Sequence, residues 1–157
     1  MSTAGSRLAN HHRGVNRPAN PAPPPTMAAR AVSDGDRIAR GVAAVGMAGV
    51  GLIHLLDLVN QFHETAYIGV LYLLLIAGSL LAARHLIMVG DRHSWIAAAR
   101  LAGATFLAYA VSRTVGLPAS TDDIGNWAEP LGLASLFVEG AVVLLSAEML
   151  LRFRRTA

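Results

Sequence analysis

Apolar residues occupy this chain in four long blocks, at about 38–58, 67–89, 95–116 and 130–151, with polar residues gathered in the joints 59–66, 90–94 and 117–129. Each block is close to the roughly 20 residues that cross a hydrocarbon core about 30 Å thick. A segment in lipid must satisfy its own backbone, and runs this long and unbroken do so as helices, barrel strands being shorter and alternating. Short joints make consecutive helices antiparallel neighbours. The pattern therefore predicts an all-α fold, a polytopic membrane protein built as an antiparallel four-transmembrane-helix bundle over 37–152.

The flanks differ in kind. Residues 1–36 are rich in Ala, Pro, Ser, Gly, Asn and Arg, include the run Pro21-Ala22-Pro23-Pro24-Pro25, and hold almost no large aliphatic side chains, the make-up of a disordered tail. No apolar stretch follows the early arginines before the first span, so no secretory signal is expected here, and His11-His12 read as a solvated pair. Residues 153–157 form a short basic tail.

Composition supports the membrane reading: 54% of the residues are hydrophobic and 15% charged, against about 25% charged in soluble domains. All 13 basic residues are arginine. If the amino terminus is cytoplasmic, twelve of the 13 fall on the inner side and only Arg113 on the outer, as expected for a plasma-membrane protein with both termini inside. The same placement accounts for the net charge of +3 without nucleic acid, because the arginines flank apolar blocks and form no patch with interleaved aromatics. The chain has no cysteine, which removes disulfides, thiolate metal sites, cysteine-ligated iron–sulfur clusters and c-type haem attachment. Small residues at four-residue spacing, such as Gly78 with Ala82 and Ala44 with Ala48, are expected to let helices approach closely.

Ionisable groups inside a span are expensive in lipid and should face the bundle interior with a partner. In the first block Met47, Gly51, His54, Asp57 and Gln61 share a face, and Asp57, one turn beyond His54, is placed to orient its imidazole. His63 and Glu64 follow nine and ten residues after His54. On a continuous helix nine steps of about 100° put His63 on the opposite face, so a shared site requires a break at Asn60–Glu64. Arg113 is followed by an acidic loop that offers Asp122, Asp123 and Glu129 as partners. Glu129-Pro130 opens the fourth helix, and Trp127 suits the interfacial aromatic belt. Glu139 lies about 15 Å farther down that helix, near the bilayer centre, on a face with Gly132, Ser135 and Ser146. It is the strongest functional hint in the chain, since a carboxyl at that depth must be protonated or partnered.

The strings GLIHL, the following HE, SRTVGLP and NWAEPLGLASLFVEG resemble those of a group of small bacterial four-helix integral membrane proteins without an assigned activity. The resemblance spans about residues 38–151 and implies that Gly51, His54, His63, Glu64, Arg113, Glu129 and Glu139 are signature positions.

Two functional expectations follow. One is a binding protein, with His54, His63, Glu64 and Glu139 as ligands to a metal or small redox ligand and Asp57, Arg113 and Glu129 in support; oxygen and nitrogen donors without sulfur suit Zn²⁺ or Cu²⁺. Haem is disfavoured, because His54 and His85 lie roughly 20 Å apart along their axes. The alternative is an assembly subunit, in which these residues only fix the bundle and the exposed faces meet other membrane subunits. An enzyme or proton-coupled transporter is the weakest reading, since no discontinuous helix pair or inverted repeat is seen.

Overall fold

The computed structural model describes the backbone of residues 27–155 and the side chains of residues 34–155. The expected features of residues 1–26, His11-His12 among them, lie outside the described residues. Four helices follow in order: α1 (Met27–Glu64), α2 (Ala66–Met88), α3 (Arg92–Thr114) and α4 (Pro130–Arg155). All four are long and apolar enough to cross a membrane. Large apolar side chains point outward along them, Phe137 at 78% exposure and Val45 and Leu144 at 74% being the extremes. This inversion of a soluble surface defines a multi-pass membrane protein whose exterior meets lipid.

Three helix limits depart clearly from the expected ones: α4 runs on to Arg155, through residues 153–155 of the expected basic tail, and both ends of α1 shift, each for a local reason. α1 starts at Met27, so residues 27–36, assigned above to the tail, are its first turns; the stretch Met27-Ala28-Ala29-Arg30-Ala31 consists of good helix formers, and the prolines end at Pro25. α1 also runs through Asn60–Glu64 without a break. Asp57 holds this end together by accepting from Gln61 Nε2 at 3.1 Å and Asn60 Nδ2 at 3.4 Å, one turn on. The connection to α2 is a single extended residue, Thr65, with Phe62 folded over Gly69.

At the opposite end, α2 closes on Val89 and on Gly90, whose φ of +61° is cheap only for glycine. Asp91 then caps α3, accepting from the Ser94 backbone N–H at 2.9 Å and from its hydroxyl at 2.6 Å. Those two bonds, side chain first, hold the Asp91 carboxyl down at about 2. The Ser94 hydroxyl, its proton given to Asp91, accepts from His85 Nδ1 at 2.9 Å. Arg40 of α1 donates to the Val89 carbonyl at 3.2 Å. Arg40, His85, Asp91 and Ser94 thus tie the α2–α3 turn together.

Each helix packs on its neighbours in sequence, and α1 packs on α4, closing a four-helix bundle. Its interior has two unlike halves. Toward the Gly90 turn it is solid, with Met47, Leu86, Trp95, Ala98 and Ala102 fully buried among Ala43, Ala44, Val142 and Met149. Toward Thr65 it is open, and the site lies there.

The small residues divide by position. Gly46 and Gly49 face Val142 and Val138 of α4, and Gly51 faces Ser79 of α2. Gly78 and Ala82 are interface residues, but Ala48 is exposed, so only Ala44 of its pair serves packing. A Cβ at Gly46 would fall 2.6 Å from Val142 Cγ2, which is itself buried, whereas one at Gly51 would sit 3.6 Å from Ser79 Cβ, an ordinary contact. Gly46→Ala is therefore expected to destabilise by about 1–3 kcal/mol through overpacking. Gly51→Ala should stay within about 1 kcal/mol of the parent. Thermal melting of the purified variants in one detergent checks the contrast.

Candidate functional site

A cavity of about 550 Å³ opens between the helices at the Thr65 end and reaches down to Glu139. Its walls are apolar, with Leu71 and Leu75 from α2 and Leu101, Ala104 and Ala108 from α3. Its polar groups lie at two levels.

Glu139 forms the floor. It has 0% exposure, and its Oε1 accepts from Ser135 Oγ, one turn earlier on α4, at 2.7 Å. Its Oε2 is buried without a hydrogen-bond partner among the described residues. Ser79 Oγ, Trp95 Nε1, Tyr109 Oη and Ser146 Oγ are likewise buried without a partner among the described residues, but an unmet carboxyl oxygen keeps the larger desolvation cost.

His54 lines the cavity from α1 and is buried. Its Nδ1 lies 2.9 Å from the Val50 carbonyl. A carbonyl only accepts, so Nδ1 carries the proton and Nε2 is the nitrogen left with a free lone pair. Tyr72 stands edge-on against the ring, with centroids 4.7 Å apart at 74°. Val50 thus does the orienting work expected of Asp57, which lines the cavity too but is engaged with Asn60 and Gln61.

Arg113 sets the upper level. Only 6% exposed, it donates to Glu129 Oε2 at 2.8 Å and pairs with Asp123. Its guanidinium carbon lies 4.7 Å from the centroid of the Tyr109 ring, over its face. Tyr109 meets Trp127 edge-on with centroids 6.2 Å apart, and it fills the place a side chain at Gly132 would take. The Gly125 N–H donates to the Arg113 carbonyl at 2.9 Å, and Tyr67 Oη donates to the Pro118 carbonyl at 2.7 Å. The α3–α4 loop is thereby fastened over the mouth from both sides. The acidic partners expected for Arg113 are present in Asp123 and Glu129, while Asp122 is exposed.

Of the predicted site residues, His54, Asp57, Glu64, Arg113, Glu129 and Glu139 border one cavity. His63 does not: the unbroken helix turns it to the exposed side. That removes the second imidazole from the expected ligand set, and Glu64 is itself exposed. Among the described residues no three His, Asp or Glu side chains converge as a metal site. The expected Zn²⁺ or Cu²⁺ centre built from His54, His63, Glu64 and Glu139 thus lacks the arrangement a metal needs.

Tyr72 and Tyr109 were not anticipated from the sequence. Tyr72 had one available signal, a hydroxyl-bearing aromatic inside the leucine-rich run 71–75. Tyr109 had a paired one, a bulky aromatic on α3 and Gly132 on the Glu139 face of α4.

Fold and cavity together define a four-helix, multi-pass integral membrane protein with a polar-floored cavity between its helices. No protein-family model, curated protein or solved structure matches the chain.

Proposed function

We propose that this protein binds a small amphipathic ligand with a quinone-type or similar aromatic head, seated between Glu139 and His54, its apolar part against the leucine and alanine walls. The carrying observation is Glu139, which borders a cavity of about 550 Å³ and whose buried Oε2 has no hydrogen-bond partner among the described residues. Volume and apolar walls suit a ring with a short tail. A carboxyl and an imidazole nitrogen at the polar end suit a head that exchanges hydrogen bonds or protons. Tyr72 and Tyr109 supply aromatic edges.

The same proposal sets the bundle antiparallel in the plasma membrane with both termini cytoplasmic, so that the cavity opens outward. Support comes from the arginine distribution and from the order of helix contacts: Arg40 meets Val89 while Phe62 meets Gly69, and Gly46 meets Val142 while Gly49 meets Val138. Membership of the small four-helix group that the GLIHL and NWAEPLGLASLFVEG strings resemble belongs to this reading too. A purely structural role accounts for Arg113, whose partners are in place, but not for the unmet oxygen of Glu139.

Trp127 offers a reporter through Tyr109. Titration of the purified protein with 2-methyl-1,4-naphthoquinone is expected to quench its emission saturably, with most of the amplitude lost in Trp127→Phe. His54→Leu should weaken binding about tenfold or more, the equivalent of one good buried hydrogen bond. Quenching that is linear in quinone and identical in His54→Leu would mean partition into lipid or detergent and would overturn the proposal.

A further inference from the structure

A second cavity, of about 560 Å³, lies between α2 and α3 on the Gly90 side of the first and independent of its ligand. Gly78, Leu81, Leu101 and Ala104 make its apolar part, and Leu101 and Ala104 also wall the first cavity, so the two stand back to back. At its other end are Arg84, His85 and Arg100.

Three of the described arginines have partners, and Arg84 and Arg100 are among those without one. Arg113 pairs with Asp123 and Glu129, Arg152 with Glu148, and Arg40 with the Val89 carbonyl. Arg84 and Arg100 are exposed and take part in no ion pair or hydrogen bond among the described residues. The depth of Arg100 makes this costly. Arg100 lies eight residues into α3, about 12 Å along its axis, whereas the headgroup zone of one leaflet is only about 5–7 Å thick. A cation there either stretches outward or draws an anion in.

We propose that this groove is a binding site for an anionic phospholipid of the arginine-rich leaflet. The lipid phosphate sits between the Arg84 and Arg100 guanidinium forks, and an acyl chain lies along Gly78, Leu81, Leu101 and Ala104. Phosphate is the anion that two planar forks hold best, each offering paired N–H donors. His85, whose Nδ1 donates to Ser94 Oγ, also borders this end of the groove. Two unpaired positive charges also favour a headgroup with two negative ones, such as the two phosphates of a cardiolipin, over a zwitterionic one. A free phosphate would use the arginines but leave the apolar groove empty.

Native mass spectrometry of the full chain in mild detergent, titrated with cardiolipin, phosphatidylcholine or inorganic phosphate, tests this. One cardiolipin should be retained per chain, with a preference over phosphatidylcholine of about tenfold or more, as two arginines near a headgroup would give. Arg84→Gln and Arg100→Gln should each reduce that preference, and Leu101→Trp, which fills the groove and keeps both arginines, should abolish retention. Arg154→Gln, an exposed arginine at the α4 end, should change nothing. Equal loss in Arg154→Gln would mean diffuse charge attraction, and full displacement by inorganic phosphate would mean a plain anion site; either result overturns the proposal, as does retention unchanged in Leu101→Trp. Circular-dichroism melting of each variant separates lost binding from lost folding.

Discussion

Glu139→Gln is expected to leave the bundle folded within about 1 kcal/mol of the parent while weakening naphthoquinone binding by tenfold or more. The amide has the volume of the carboxyl, can still accept from the Ser135 hydroxyl that now donates to Oε1 at 2.7 Å, and leaves no new void. What it lacks is the ability to take up or release a proton toward a ligand at Oε2, the oxygen of this side chain without a partner among the described residues. Ser135→Ala provides the complementary variant. It removes the one hydrogen bond that Oε1 accepts among the described residues, which should cost about 1 kcal/mol, and it leaves the Glu139 carboxyl itself in place, so binding should fall less than in Glu139→Gln. Paired Trp127 titrations and detergent melting curves read both quantities on the same samples. If Glu139→Gln binds as the parent does, Glu139 only joins helices and the ligand site fails.

Much of this geometry was legible in the sequence, because lipid leaves a helix few ways to arrange polar groups. The face Met47, Gly51, His54, Asp57 and Gln61 on α1, and the face Gly132, Ser135, Glu139 and Ser146 on α4, follow from the 3.6-residue period, and both are inward in the bundle. The depth of Glu139 followed from counting residues from Glu129. The partners of Arg113 were narrowed to three acids within one loop, and two of them, Asp123 and Glu129, hold it.

Local sequence could not decide whether α1 ends before or after His63. Asn60 to Glu64 is polar enough for a loop, yet Asp57 has acceptors for both Asn60 and Gln61 one turn on, and these bonds keep the segment helical. A metal centre depended on that one break. Orientation of His54 was also beyond reach, because the group that sets it is the Val50 carbonyl, and backbone carbonyls carry no sequence signature. The apolar walls of the cavity belong to side chains that read as ordinary span residues until α2 and α3 are placed side by side.

Arg113→Gln is expected to be the most damaging single change in the chain. The guanidinium is buried against the Tyr109 ring and holds Asp123 and Glu129 together at the head of the cavity. Removing it leaves two carboxylates facing each other without a cation, and breaking such a pair costs about 3–5 kcal/mol where both partners are buried. Asp123 and Glu129 are 37% and 33% exposed, so water moderates the loss, and the low end, about 3 kcal/mol, is the expected figure. Arg113→Lys should recover only part of it, since a single ammonium cannot reach two carboxylates and lie flat over an aromatic face at once. The triple change Arg113→Leu, Asp123→Asn, Glu129→Gln removes the charges together and should be more stable than Arg113→Gln alone. Melting temperatures in one detergent give the stability order: parent, then Arg113→Lys and the triple variant, then Arg113→Gln. The side chain ties Asp123 and Glu129, on either side of Trp127 in the loop, to α3, so its loss should also free Trp127 from Tyr109, seen as a red shift of its emission. A stable Arg113→Gln with unshifted emission would show that the loop is held by Tyr67 and Gly125 alone, and that the cation serves the cavity rather than the fold.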